Sequence, residues 1–395
     1  MRAISNSVYV ALAYLSYHWL RTLMLTFALA LIGFAPWFIN QALQETQKHL
    51  SERATTTPLV LGAKGSALEL VLSSLYFDRK SQEAITLRTV NEIKDSKLAY
   101  AIPFNSFYHA GDFPIIGTNL DYFDFRQLTI KEGRQLGILG EAVIGANVAA
   151  KSGFKPGDKV ISSPDNLFDI SGSYPLLLSI VGVLAKTGSA DDDAIFVDIR
   201  STWIIAGLGH GHQDLAKVND PTLVQEVQKE NLIANANLQT YTVIDRSNLS
   251  SFHFHGDDAD FPLSSALVIP KDEKSTTLLL GRYQGHESLQ LLEPKQVVTG
   301  LLDTMFRIKR VLDVVVGIVI LSTLLTIFLV MVLSLRLRAR ELSIMSQLGG
   351  SRTAIAGFVL SEFLLIALLS LSLAGIGLAL SELYREQLIM QLIAR

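Results

Sequence analysis

The sequence has no cysteine, and only 18% of its 395 residues are Asp, Glu, Lys or Arg, against 49% hydrophobic. Without cysteine the chain can form no disulfide, thiolate metal site, thiol nucleophile or iron–sulfur cluster. A sufficiently large core dispenses with disulfides, so this absence does not define the compartment. Acidic and basic residues nearly cancel, leaving a net charge of −3; that excludes electrostatic steering toward nucleic acid. Three chemical signatures are also missing: Gly-x-x-x-x-Gly-Lys-[Ser/Thr], Gly-x-Ser-x-Gly and His-Glu-x-x-His. The chain therefore has no motif for cradling nucleotide phosphates, for a serine nucleophile elbow or for a zinc-protease helix. No enzyme reading survives.

What the sequence has in quantity is long apolar runs. Three reach the roughly 20 residues that a helix needs to cross a bilayer at its rise per residue. They run from Thr22 to Ile39, from Val314 to Leu335 and from Ala354 to Leu380. The first differs from a cleaved leader because a long amphipathic segment carrying Tyr9, Leu12, Leu15 and Trp19 precedes it. Basic residues set the orientation. Residues 1–21 carry Arg2 and Arg21 without a carboxylate; the loop 336–353 carries Arg336, Arg338, Arg340 and Arg352 against Glu341. Both are placed in the cytoplasm. Arg307, Lys309 and Arg310 oppose this assignment, and Asp303 and Asp313 partly offset them. The expected order is a cytoplasmic segment 1–21, spans at 22–39, 311–335 and 354–380, an outer domain over 40–310, and an outer tail over 381–395.

The outer region alternates strand-like and helical stretches, the pattern of a mixed α/β domain. Gln41 to Arg53 reads as a helix leaving the membrane, and Pro294 to Arg310 as an amphipathic helix entering the second span. Strands are expected at Leu59–Gly62, Ala99–Pro103, Ser179–Leu184, Ala194–Ile199 and Ser264–Pro270. Glu141 to Lys159 reads as strand, helix and turn, closed by Gly153, Pro156 and Gly157. Residues 215–240 read as polar and helical. Asp191-Asp192-Asp193 reads as a turn before a strand, with a hard-cation site as the alternative.

The cytoplasmic loop carries a specific pattern: Arg340-Glu341, the apolar residues Ile344 and Leu348, Gly349-Gly350, Ser351-Arg352, and Glu362 in the following span. It resembles the FtsX-like (MacB-type) permease family of ABC transporters. Glu132-Gly133-Arg134 and the strand–helix–turn from Glu141 resemble that family's periplasmic core domain. The implied fold is an α/β MacB-like periplasmic core, with an inserted subdomain near 201–262, on a membrane domain of three helices. Members usually have a fourth span, for which Ser381 to Arg395 is too polar and short. This is a three-span variant or a chain that ends early. The resemblance implies a homodimer in the bacterial inner membrane, docked on cytoplasmic ATPase subunits that hold the ATP and magnesium. It also implies contact with membrane lipids and, in some relatives, with a periplasmic or outer-membrane partner. The expected role is a permease subunit that carries ATP-driven motion outward, for zinc-linked transport or for export of a lipid, lipoprotein or small molecule. The alternative is a non-transporting regulator of a cell-envelope partner.

Two groups of residues are candidates for function. In the loop, Leu342, Met345 and Leu348 at helical spacing would enter a groove on the ATPase, rimmed by Arg338, Arg340 and Glu341, with Gly349 and Arg352 closing the helix. A simple positive-inside anchor would need the arginines but not the apolar stripe. Glu362, roughly two turns into the third span, is costly there without a role: it could pair with Arg352 or cap a helix contact near the cytoplasmic face. A proton or ion relay is the alternative, for which the spans offer no further buried ionisable groups. The second group is histidine. His210-Gly-His212 and His253-Phe-His255, the latter followed by Asp257, are His-x-His clusters. Alternate residues of a strand share a face, so imidazoles and a carboxylate could hold Zn²⁺. Surface loops with hydrated histidines are the bland alternative.

Overall fold

The computed structural model describes residues 2–78, 83–163, 175–211, 224–228, 231–234 and 242–383. It divides into two compact units: 1–48 with 302–395, and 49–301.

Two helices open the chain, α1 (Arg2–Tyr17) and α2 (Trp19–Thr55). They are followed by β1 (Leu59–Ala63), α3 (Ala67–Tyr76), β2 (Ile85–Thr86), α4 (Leu87–Asp95), β3 (Ala99–Ala110), β4 (Phe113–Thr118) and α5 (Leu120–Arg126). Next come β5 (Ile130–Gly133), β6 (Glu141–Ile144), α6 (Ala146–Ser152), β7 (Lys159–Ile161), β8 (Leu176–Leu184), β9 (Ile195–Asp198) and α7 (Ile199–Ile205). Then β10 (Gly209–Gly211), β11 (Val224–Gln228), β12 (Asn231–Ala234), β13 (Thr242–Val243), β14 (Phe252–Phe254), β15 (Pro262–Leu263) and β16 (Ser265–Pro270) lead to α8 (Glu273–Tyr283) and β17 (Leu289–Leu292). Three helices end the described chain: α9 (Pro294–Leu337), α10 (Ala339–Gln347) and α11 (Arg352–Leu383).

The outer unit, 49–301, is built on an 11-stranded sheet in the order β13-β8-β6-β9-β4-β3-β16-β1-β17, with β5 and β7 also paired to β8. Apolar residues on its strands bury in two clusters. One gathers Leu59, Leu61, Ala101, Leu263, Ala266 and Val268 with Trp203 and Phe261. The other gathers Ile115, Ile144, Leu178, Ile180, Ile195 and Val197. All four residues of β6 are buried, as are Ile195, Phe196 and Val197 of β9, so both faces of these strands are covered and they read as nearly continuous apolar runs. The expected strand–helix–turn from Glu141 is present, with Gly153 and Gly157 at positive φ.

One local reading is overturned. Within 215–240, Val224–Gln228 and Asn231–Ala234 pair as antiparallel strands and are not helical. Gln, Glu and Lys favour a helix locally, but the backbone hydrogen bonds of a hairpin override that weak preference. The remainder of 215–240 lies outside the described residues.

The Glu132-Gly133-Arg134 triplet has a steric basis. Gly133 faces Gly182 across β5 and β8 and sits at φ +80°, where an added Cβ would lie 2.2 Å from the Val181 carbonyl oxygen. Arg134 then turns to pair with Glu141 at the head of β6. Glu141 also accepts from the Gly137 and Ile138 amides, at 2.8 and 3.2 Å. Burial pushes the Glu141 carboxyl up, but Arg134 and the two amides outweigh it and hold it below the usual carboxylate range. Gly133→Ala should destabilise the outer unit by about 3 kcal/mol or more, since left-handed strain and a backbone clash add. Denaturant unfolding of the purified chain measures this, and a loss below about 1 kcal/mol would contradict the steric argument.

In the membrane unit three helices are long and apolar enough to cross a bilayer: Trp19–Thr55, Pro294–Leu337 and Arg352–Leu383. Most of their apolar side chains are exposed within the chain, a surface that water would not tolerate and lipid would. The first and second are longer than the runs legible as spans, and both continue as unbroken helix, as the amphipathic flanks imply. Helix α1 buries Ala11 and Leu15, and Leu15 packs with Leu25 and Ile366.

Candidate functional site

The segment between α9 and α11 folds as the short helix α10, and two glycines end it. Gly349 takes φ +93°. Its amide donates to Ser346 O at 3.1 Å, and that of Gly350 to Met345 O at 3.0 Å. This pair of bonds is the Schellman ending, in which a left-handed residue lets the chain satisfy the last helical carbonyls. Arg352 follows at the start of α11, exposed.

Exposure redraws the expected apolar stripe. Leu342 and Met345 are half-buried, whereas Ile344 is 48% and Leu348 83% exposed. Ile344 and Leu348 are four residues apart and share a face, with exposed Arg340 and Glu341 one turn earlier. Ile344 and Leu348 therefore present the larger share of the apolar surface open on this helix. Leu342 and Met345 are partly covered within the chain, and Leu348 is the most exposed of the three residues of the stripe.

Arg338 is also reassigned. It was expected at the rim of the loop, yet it is 7% exposed and its Nη1 donates to Glu362 Oε2 at 2.8 Å. Arg21 Nη2 donates to the other carboxylate oxygen, Glu362 Oε1, at 2.9 Å. Glu362 is thus clasped by Arg21 from α2 and Arg338 from the head of α10, and not by Arg352. The arginines have further support. Arg21 Nη1 donates to Ser334 Oγ at 2.5 Å and to Tyr14 Oη at 3.3 Å. The Arg338 guanidinium lies 3.5 Å from the centre of the Tyr14 ring and 5.1 Å from that of Phe358, positions that favour a cation over an aromatic face. One carboxylate shared by two guanidiniums ties α2, α9, α11 and the entry to α10 together through α1. Tyr14, Arg21 and Ser334 were missed as site residues; the one legible signal was Arg21, a basic residue at the very start of an apolar run.

The outer unit contains a second buried ionic assembly. Arg53, near the end of α2, donates from Nη1 and Nη2 to both oxygens of Asp191, at 2.6 and 3.0 Å. The Tyr122 hydroxyl donates to Asp191 Oδ1 at 2.6 Å. Burial would push the Asp191 carboxyl up, but the Arg53 charge and these hydrogen bonds outweigh it and hold it below the usual range. Asp192 accepts from the Thr187 and Gly188 amides, and Asp193 from Asn147 and Lys151. The acidic triplet is thus consumed as a turn, the reading preferred over a cation site.

Of the candidate metal ligands, His210, His253 and His255 come together. Strand β10 pairs antiparallel with β14, placing His210 opposite His253, and the three ring centres are 4.7–4.9 Å apart. Asp257 is not among them: Arg88 Nη2 donates to its Oδ2 at 3.1 Å. His212 lies outside the described residues.

Comparison with known proteins now bears on the outer unit. Residues 38–231 match the model of the MacB-like periplasmic core domain. A solved structure of the periplasmic region of MacB from Actinobacillus actinomycetemcomitans aligns at 14% identity and a TM-score of 0.34, covering 64% of this chain and 97% of that one. The extracellular domain of YknZ, described as a noncanonic ABC-type transporter from Gram-positive bacteria, aligns at 14% identity and a TM-score of 0.32, covering 59% and 98%. No curated protein sequence matches the chain. Over residues 38–231, just under half of the chain, the outer unit is a MacB-like periplasmic core domain, which supports an FtsX-like, MacB-type ABC permease.

Proposed function

We propose that this chain is the permease subunit of an inner-membrane ABC system in which a separate cytoplasmic ATPase drives motion of the outer domain. The observation that carries the reading is the clasp on Glu362. Arg338 stands at the N-cap position of α10 and is bonded to α11 through Glu362, whose other oxygen is bonded to Arg21 of α2. A force applied to α10 therefore meets a rigid joint shared with the spanning helices and is not absorbed by a slack loop. Helices α2 and α9 extend well past their apolar runs without a break, as levers must.

The partner would dock on the face of Ile344 and Leu348, with Arg340 and Glu341 beside it. An apolar patch of this kind on a short helix fits a groove. The spanning runs carry Glu362 as their one buried carboxylate among the described residues, and both of its oxygens are occupied. That favours transmission of movement over a polar conduit through the bilayer. Two copies of the chain would work on a pair of ATPase subunits.

Leu348→Glu should leave the chain folded, within about 0.5 kcal/mol of the wild type, because the side chain is exposed. It should abolish copurification of the ATPase and the vanadate-sensitive ATP hydrolysis that accompanies the wild-type chain. A wild-type chain purified from its own membranes without any ATPase, or a Leu348→Glu chain that retains full hydrolysis, would refute the proposal.

A further inference from the structure

The two-stranded ribbon of β10 and β14 sorts its residues by face. In Phe252-His253-Phe254-His255 the aromatic and imidazole side chains alternate, as strand geometry requires. The phenylalanines belong to the core side. Phe254 packs against Trp203 and Phe261, with ring centres 6.2 and 5.8 Å apart, and both Phe252 and Phe254 lie against the buried clusters. Opposite them the partner strand places glycine. A Cβ on Gly209 would lie 2.7 Å from the Phe254 ring, and one on Gly211 2.6 Å from that of Phe252. The His210 flanks are thus kept bare so that both rings can seat, and the ribbon is pinned by its apolar face.

The opposite face carries three imidazoles on that pinned backbone. His210 and His253 are direct cross-strand partners. His255, two residues beyond His253, is held by its amide donating to Leu208 O at 3.1 Å. Each histidine offers a ring nitrogen, and the three lie within 4.8 Å of one another. A point within about 2.8 Å of all three therefore exists, and a zinc–nitrogen bond of about 2.0–2.1 Å is reached by moving each ring roughly 1 Å. Rotation of partly exposed side chains supplies that much. His253 has a supporting contact as well: its Nδ1 lies 3.3 Å from Ser251 O. A ring nitrogen that donates to a backbone carbonyl leaves Nε2 as the lone-pair nitrogen, the arrangement found behind metal-ligating histidines.

From this geometry we infer that His210, His253 and His255 form a binding site for a divalent late transition-metal ion, Zn²⁺ in particular, on the surface of the outer domain. Three imidazoles with no thiolate and no carboxylate suit zinc, copper or nickel, and not magnesium or calcium. Among the described residues the group is three histidines, which fill three of the four positions of a tetrahedral site. The site is independent of how the chain is driven: it would stand whether or not an ATPase couples to α10.

The test uses the full chain in detergent, stripped with chelator and titrated with Zn²⁺ against a chromophoric competitor. Co²⁺ absorption serves as a second reading of coordination geometry. One Zn²⁺ per chain is expected, together with a tetrahedral Co²⁺ spectrum. His255→Gln and His253→Gln should each weaken binding at least about 100-fold, more than the loss of a supporting hydrogen bond costs. Asp257→Asn, whose carboxylate is engaged by Arg88, should change it less than about twofold. Unchanged thermal unfolding of the histidine variants would establish that they fold. Binding that survives both histidine substitutions, an octahedral Co²⁺ spectrum, or no stoichiometric Zn²⁺ uptake would overturn the assignment.

Discussion

Glu362→Gln is expected to cost the membrane unit about 3–5 kcal/mol, the scale on which removing one partner strands buried charge. Glu362 is 3% exposed and bonded to two guanidiniums at 2.8 and 2.9 Å. The amide keeps the shape and one acceptor but removes the charge, so Arg21 loses its carboxylate and Arg338 keeps only the longer contact of its Nε with Glu341 at 3.7 Å. Arg338→Met, which retains length and apolar contact with Tyr14 and Phe358, should cost less. In a double-mutant cycle the pair should lose well under the sum of the single changes, because both remove the same bond. Trp19 and Trp37 fall in the membrane unit and Trp203 in the outer one. A Trp203→Phe background therefore isolates the fluorescence of the membrane unit during unfolding. Strictly additive losses, or a Glu362→Gln chain as stable as the wild type, would show that the clasp is not a joint.

The second large effect lies in the outer unit. Asp191→Asn should cost about 3–5 kcal/mol at neutral pH, because Arg53 remains buried and charged without its bidentate partner. The pH dependence has a definite sign. The folded Asp191 titrates below its unfolded value, so the stability contributed by the pair is complete above the ordinary carboxylate pKa of about 3.9. That contribution is lost as pH falls through the lower folded value. Asp191→Asn has no such contribution to lose, so its stability should decline less steeply below about pH 4 than that of the wild type. Its profile will not be flat, since Glu141 is also held low by Arg134 and two amides. Following Trp203 in a Trp19→Phe/Trp37→Phe background reads the outer unit. Parallel stability–pH curves for variant and wild type would exclude Asp191 as an acid-labile clasp.

The limits of what could be read in advance follow from range. Apolar runs, the glycines that end α10 and the FHFH alternation of β14 act over a few residues, and all are found where the pattern put them. The His210–His253 register was not legible, because 40 residues separate two strands of three residues each and nothing local selects one pairing over another. Of the readings open for Glu362, pairing with Arg352 is not the one the structure shows, for a similar reason. Arg352 is ten residues away in sequence, but a carboxylate two turns into a span meets what the neighbouring helices present, here Arg21 and Arg338. The same holds for Asp191, whose partner Arg53 lies 138 residues earlier.

By itself the sequence determined that this chain enters a membrane, that a glycine-ended basic helix separates two of its apolar runs, and that its outer region is a mixed α/β domain. Hydrophobic length, charge bias and strand or helix period are properties of contiguous residues, and water and lipid enforce them locally. Which charges meet, which face of α10 is bare and which imidazoles converge were decided only by tertiary packing. Those choices depend on surfaces brought together from distant parts of the chain, where burying one ion without its counter-ion costs more than any local preference can return.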